Sequence, residues 1–320
     1  MSRLLSSGNS TNVRMDNMLM KWAVEAAELV SPALSSELAL RAFLTPARAP
    51  RPERERAWLA GATAIDVVAG GLPLAAWSWG EADRPVVALV HGWAGRGAQL
   101  AAMVPALLAR GRRVVTWDAP AHGDSPGRTT TLASMAEVLR AVAARVGPLD
   151  AVIAHSFGGA ATTIALARGL ALVRAVYVAP LYTIGATVER FAATLGLSPR
   201  ARRGFEDGLA HANLADRAEL EGARLTPAMR VPLYVIHDRD DREVPYAEGA
   251  ATARTWPGAR LLTTGGLGHH RLLHDPDVID AAVDFATGGA PRTDVVLDEA
   301  TRLERELANP DRRRGPSASA

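Results

Sequence analysis

Three kinds of side chain that together can activate a hydroxyl group stand at places where this chain must turn. Ser156 lies in the stretch Asp150 to Thr163, DAVIAHSFGGAATT. The apolar run Ala151 to Ala154 ends on His155-Ser156-Phe157, meets Gly158 and Gly159 at once, and opens into a small-residue helical pattern that runs to Arg168. That is a strand, a sharp turn and a helix, with a serine on the turn, where the backbone is forced into a strained region. The residues two before and two after, Ala154 and Gly158, are small, as they must be where strand and helix nearly touch. Further on, Ile236 is followed by His237-Asp238-Arg239-Asp240-Asp241-Arg242-Glu243-Val244-Pro245, and Thr264 by Gly265-Gly266-Leu267-Gly268-His269-His270-Arg271. A serine becomes a nucleophile when an imidazole takes its proton and a carboxylate holds that imidazole in the right tautomer. The first of these stretches offers three aspartates for the second role, and the second offers His269 or His270 for the first. After Val90 comes His91-Gly92-Trp93-Ala94-Gly95-Arg96-Gly97, glycine-rich backbone able to aim N–H groups at an oxygen that turns negative in the transition state.

Other chemistries fit these residues poorly. The glycines after Val90 lack the following lysine of a phosphate loop and the spacing of a dinucleotide fingerprint. The aspartates have no second carboxylate cluster to complete a six-oxygen cation shell. His270 and His274 are spaced like half of a zinc site, without a third ligand. No metal is expected.

Elements able to hold such residues follow from the apolar pattern. Ile65 to Val68 and Leu74 to Trp79, separated by Ala69-Gly70-Gly71-Leu72-Pro73, read as a hairpin. Val86 to Val90 is a continuous apolar run, as expected of a strand covered on both faces. Helix and strand then alternate: helix at about Ala98 to Arg110, strand Arg113 to Trp117, helix at about Leu132 to Arg145, the strand before Ser156, and strands Val173 to Val178, Pro232 to Ile236 and Arg260 to Thr263. The alternation predicts an α/β fold, a mostly parallel twisted sheet of about eight strands with helices on both faces, and the hairpin as an antiparallel edge. Residues just after strand ends are where such sheets place their sites. Between Pro180 and Val231 lies far more chain than a crossover needs, with helical character over Thr187 to Leu195, Pro199 to Leu209 and Leu214 to Glu221. It must form an excursion above the sheet.

The segment from Ala154 to Gly158 resembles the nucleophile elbow G-x-S-x-G of the α/β-hydrolase family, with alanine for the first glycine. The order serine, acid, histidine along the chain is also that of the family. The resemblance covers about Ala64 to Phe285. It implies Ser156 as nucleophile, and Asp241 as the acid, because the family's acid stands three positions before the valine of a Val-Pro pair; Asp238, nearer the strand, is the alternative. It implies His269 of Gly268-His269 as the base, with His270 its rival, and the backbone amides of Trp93 and Phe157 as the oxyanion hole. It further implies that the excursion is a helical lid, spanning about residues 181–229; Trp93 and Phe157 near the pocket beneath it suggest an apolar acyl group. The expected activity is hydrolysis of a small-molecule carboxylic ester or thioester through an acyl-enzyme, with no cofactor. Cleavage of a carbon–carbon or amide bond on the same triad, and a catalytically silent binding protein, are the alternatives. His155 and His122 are expected to hold neighbouring loops, and Asp118 is no nucleophile while Ser156 is present.

Bulk properties narrow the classes. With 320 residues, 48% of them hydrophobic, the chain can bury a large core. The pI of about 9.4 reflects arginine usage rather than net charge, which is only +2, so nucleic acid is not an expected partner. There is no cysteine, which excludes disulfides and thiolate chemistry. No stretch reads as a secretory signal or a membrane span, and a cytoplasmic location is the expectation. Nothing in the sequence speaks to the oligomeric state. Residues 1–52 read as two helices over Val13 to Leu44 and a Pro-rich linker, residues 53–288 as the hydrolase domain, and residues 289–320 as a tail, partly disordered, with a short helix at Leu297 to Leu307.

Overall fold

The computed structural model describes residues 8–213 and 220–292. The strands are β1 (Thr63–Ala64), β2 (Val67–Ala69), β3 (Leu72–Leu74), β4 (Ala76–Trp79), β5 (Val86–Val90), β6 (Arg113–Trp117), β7 (Leu149–His155), β8 (Leu172–Val178), β9 (Leu233–Asp238) and β10 (Arg260–Thr264). Eight of them form one sheet in the order β1-β4-β6-β5-β7-β8-β9-β10, and β2 with β3 forms a separate ribbon. The pairs from β6 to β10 are parallel, whereas β1 with β4 and β4 with β6 are antiparallel. The expected edge hairpin is thus split: Val67 to Ala69 turns back only on Leu72 to Leu74, and the edge is made by Thr63–Ala64 on Ala76–Trp79. The two-residue Gly70-Gly71 turn, both residues at positive φ, suits the short ribbon, which is why the pairing closes there.

The helices are α1 (Gly8–Val30), α2 (Pro32–Leu44), α3 (Glu53–Ala60), α4 (Val104–Ala109), α5 (Leu132–Val146), α6 (Phe157–Ala167), α7 (Ile184–Leu195), α8 (Pro199–Asn213), α9 (Gly222–Leu225), α10 (Tyr246–Thr255), α11 (Gly268–Arg271) and α12 (Pro276–Ala286). The helix expected from Ala98 begins as a 3-10 turn, Gly97–Met103, ahead of α4. Successive residues of β5 serve opposite faces: Val86, Ala88 and Val90 join one core cluster with residues of α5 and α6, Val87 and Leu89 another with residues of α4 and α12. All five are buried, which explains the unbroken apolar run, since each face of the strand meets a helical layer.

The excursion between β8 and β9 holds α7, α8 and α9. Residues 214–219, most of the third helix expected there, and the expected tail helix at Leu297 to Leu307 lie outside the described residues. The helices α1 and α2 pack together and against α7 and α8. The Pro-rich stretch after α2 is fastened down. Arg48 donates to the carbonyls of Ala121, Gly123, Ser125 and Gly127, and Thr130 N–H donates to Leu44 O at 2.9 Å.

Candidate active site

The strand order reverses around β5, with β6 on one side and β7 on the other, so the crevice beyond their carboxyl ends is the point where two loops can diverge around a ligand. Ser156 stands there between β7 and α6. Its backbone is at φ 53° and ψ −120°, a conformation that a non-glycine residue holds only under strain. The strain is fixed by close packing. A methyl group on Gly158 would lie 2.6 Å from His91 O, and one on Gly92 would lie 2.9 Å from Ser156 Cβ. The loop after β5 and the serine turn are therefore in contact, and neither glycine can take a side chain.

Past β9, the two rival aspartates do different work. Asp238 accepts from the amides of Asp240 and Leu267 and from Thr264 Oγ1 at 2.6 Å, tying the end of β9 to the loop after β10. Asp241 Oδ2 lies 2.7 Å from His269 Nδ1, while its Oδ1 accepts from the amides of Glu243 and Val244 at 2.8 and 2.9 Å. Burial pushes the Asp241 carboxyl up, but the hydrogen bonds from His237 and His269 and the charge of His269 outweigh it, and the group is held below the usual carboxylate range. It is built to stay ionised beside the imidazole.

His269 lies in the first turn of α11, which opens at Gly268. Its carbonyl lies 3.1 Å from His155 Nε2, and the two rings are 4.6 Å apart, so the histidine is packed against the residue that precedes Ser156. Burial, with the neighbouring His269 and His270, pushes the His155 ring well below its usual value, so it serves as a neutral brace. His270 turns outward to Glu243 at 3.0 Å, and His274 meets Arg54 at 3.1 Å. The pair thus faces two different partners, and among the described residues no group of three or more His, Cys, Asp or Glu side chains is arranged to hold a metal ion.

The Trp93 loop is braced from below. His122 Nε2 accepts from Ala94 N–H at 3.1 Å, and Ala94 itself has φ 52°. His91 Nε2 accepts from Ala119 N–H at 2.9 Å. Both rings are buried and depressed by burial, to about 4 for His91 and about 3 for His122, so each stays neutral and able to accept. Gly97 N–H donates to Asp118 Oδ1 at 2.9 Å, and Arg96 forms a buried two-point ion pair with Glu55 of α3. Asp118 is spent on these loops, also accepting from Asp124 N–H and Arg51.

The rings of Trp93 and Phe157 meet edge to face, 5.3 Å apart, at one wall of a cavity of about 400 Å³. Ile184, Val188, Leu209 and Phe43 also line it. Its polar linings are largely occupied. Thr131 Oγ1 accepts from Ser134 N–H, Asn213 bonds to Ala133 N–H and Leu209 O, and both Glu221 oxygens accept amides at the start of α7.

Two residues of the site are given no role by the sequence. His237, on β9, places Nε2 3.0 Å from Val244 O and 3.4 Å from Asp241 Oδ2, making a second imidazole on the same carboxylate. Phe43 reaches the cavity from α2, far from any strand end. His237 meets residues four and seven places on in its own loop, whereas only the pairing of distant elements brings Phe43 in.

A sequence model described as the alpha/beta hydrolase family matches residues 87–282. No curated protein matches the chain by sequence. Among solved structures, the esterase EaEST from Exiguobacterium antarcticum superposes with a TM-score of 0.55 at 15% identity, covering 71% of this chain and 100% of its own. Est1E from Butyrivibrio proteoclasticus, with ferulic acid bound, gives 0.56 at 20% identity, covering 69% and 97%. A bromoperoxidase from Bacillus anthracis gives 0.55 at 16% identity, covering 70% and 99%. At such identities the likeness concerns the fold. No helix among the described residues is long and apolar enough to cross a membrane.

Proposed function

The chain belongs to the α/β-hydrolase family, and from that premise we propose that it is a serine hydrolase cleaving a carboxylic ester or thioester. The observation that carries this reading is the 2.7 Å contact of Asp241 with His269 Nδ1, two strands away from a serine held at positive φ. With Nδ1–H donated to the carboxylate, the neutral ring carries its free lone pair on Nε2, where it can take a proton.

In this reading Ser156 Oγ attacks the acyl carbon while His269 Nε2 takes its proton. The carbonyl oxygen, now negative, accepts from the backbone amides of Phe157 and Trp93. The imidazolium, stabilised by Asp241, then returns its proton to the departing alcohol or thiol. Water, deprotonated by the same imidazole, attacks the acyl-enzyme and frees the acid. Residues 53–288 are the catalytic domain, and the excursion at about 181–229 is its lid. No cofactor enters.

The cavity walled by Trp93 and Phe157 supports an apolar acyl group. Most of its polar linings already have partners, so a ligand gains little by offering them hydrogen bonds, whereas each buried methylene contributes about 0.8 kcal/mol. Esters of p-nitrophenol from acetyl to palmitoyl, set beside hydroxylated and charged acyl groups, test this. The expected outcome is turnover that rises with apolar chain length to a maximum. Equal or better turnover of the polar acyl groups would contradict it.

A further inference from the structure

The helices α1 and α2 precede the region that the family model matches, which begins at residue 87, yet they are not an appendage. Helices α2 and α8 pack closely, with glycine on the α8 side facing Ser36 and Leu40. A methyl group on Gly204 would lie 2.7 Å from Ser36 Oγ, and one on Gly208 would lie 2.6 Å from Leu40 Cδ2. Ser36 Oγ is 2.8 Å from Ala201 O, and Glu28 Oε1 accepts from Ser198 Oγ at 2.6 Å. The helix pair and α8 are thus joined by close side-chain packing and by polar bonds at two levels. At its carboxyl end α2 is pinned to the body through Leu44 O and the four bonds of Arg48.

This clamp sets the position of one ring. Phe43 meets Phe191 of α7 and Phe205 of α8 edge to face, at 5.0 and 5.6 Å, and lies 6.3 Å from Trp93. It also lines the cavity that begins at Trp93 and Phe157. One aromatic side chain therefore links the loop after β5, the excursion helices and the cavity wall. Edge-to-face aromatic contacts and a fixed helix leave it little freedom to swing aside for a longer ligand.

We propose that the N-terminal helix pair is part of the substrate-binding apparatus, with Phe43 walling the acyl cavity and setting the length of acyl chain that is accepted. The proposal deepens the hydrolase reading and rests on it in taking the cavity as the acyl site.

Two measurements on Phe43→Ala, Phe43→Leu and Phe43→Trp test it. The first is kcat/KM across the acetyl to palmitoyl p-nitrophenyl esters. The second is calorimetric affinity for straight-chain alcohols from butanol to decanol in a Ser156→Ala background, which reads the cavity without chemistry. Phe43→Ala and Phe43→Leu are expected to move both optima to longer chains, by about fourfold for each methylene newly accommodated, and Phe43→Trp to move both to shorter ones. If Phe43→Ala does not fold, the other two variants carry the test. Optima that stay in place, or a parallel loss at every chain length, would overturn the proposal. If the alcohol optimum moves while not even the wild type turns over any ester, the hydrolase reading fails and the assignment of Phe43 stands.

Discussion

At the scale of single residues, the division of labour between two neighbouring carboxylates is the sharpest feature of the site. Asp238 is committed to the backbone of the loop that carries His269, and Asp241 to the imidazole itself. Burial also pushes the Asp238 carboxyl up, but bonds from Thr264 and from the amides of Gly268, Leu267 and Asp240 bring it below its usual value, so it too stays charged. The two amide substitutions therefore have different signatures. Asp241→Asn is expected to lower kcat by about ten-thousand-fold through the wrong imidazole tautomer, and to lower the denaturant midpoint too, because the ionised carboxylate that the fold favours is lost. Asp238→Asn is expected to lower the midpoint, by the about 1 to 3 kcal/mol of a buried group left partly unpartnered, with a much smaller effect on kcat. Steady-state kinetics and urea unfolding of both variants decide it, and the reverse pattern would make Asp238 the catalytic acid.

At the scale of elements, legibility in the sequence depended on whether local pattern or distant pairing decided the outcome. Strands with both faces covered announce themselves as apolar runs, so β5 and β6 agree with expectation at both ends, and the turn between β7 and α6 was legible because sterics demand small residues there. The edge was not. Strand propensity marks Ile65 to Trp79 as extended, but which residues pair depends on where the chain crosses from the ribbon to the sheet, and Leu74 and Ala76 ended on different sheets. The choice between Asp238 and Asp241 could not come from position alone either, since Asp238 ends β9 and Asp241 follows it within one turn. The contacts that distinguish them, Thr264 and Leu267 on one side and His269 on the other, come from β10 and the segment after it, beyond α10 in the chain. For α2, the amphipathic spacing gave a helix but not its neighbour, because Gly204 and Gly208 look like weak points of α8 until Ser36 and Leu40 are seen against them.

At the scale of the whole molecule, buried neutral histidines couple folding to pH. His91, His122 and His155 all lie below their usual 6.5 in the folded chain, the first two at about 4 and about 3. Below about pH 6.5 the unfolded chain takes up protons that the folded rings refuse, so it binds more protons than the native state and stability falls as the pH drops. The loss amounts to as much as about 1.4 kcal/mol per pH unit for each ring, and for His91 it levels off once the pH passes about 4. The depressed Asp241 carboxyl adds a loss of the same sign at lower pH. Urea midpoints are therefore expected to fall from about pH 7.5 to about pH 5, and a midpoint that held or rose would mean that these rings are not buried in the neutral form. In the proposed mechanism, the loops that those rings brace serve to make one hydroxyl reactive. Labelling with a fluorophosphonate, followed by mass spectrometry of the peptide that carries the adduct, tests that most directly. The folded wild type is predicted to take up one equivalent on Ser156 and Ser156→Ala none; a folded wild type that stays unlabelled, or an adduct on another residue, would contradict it.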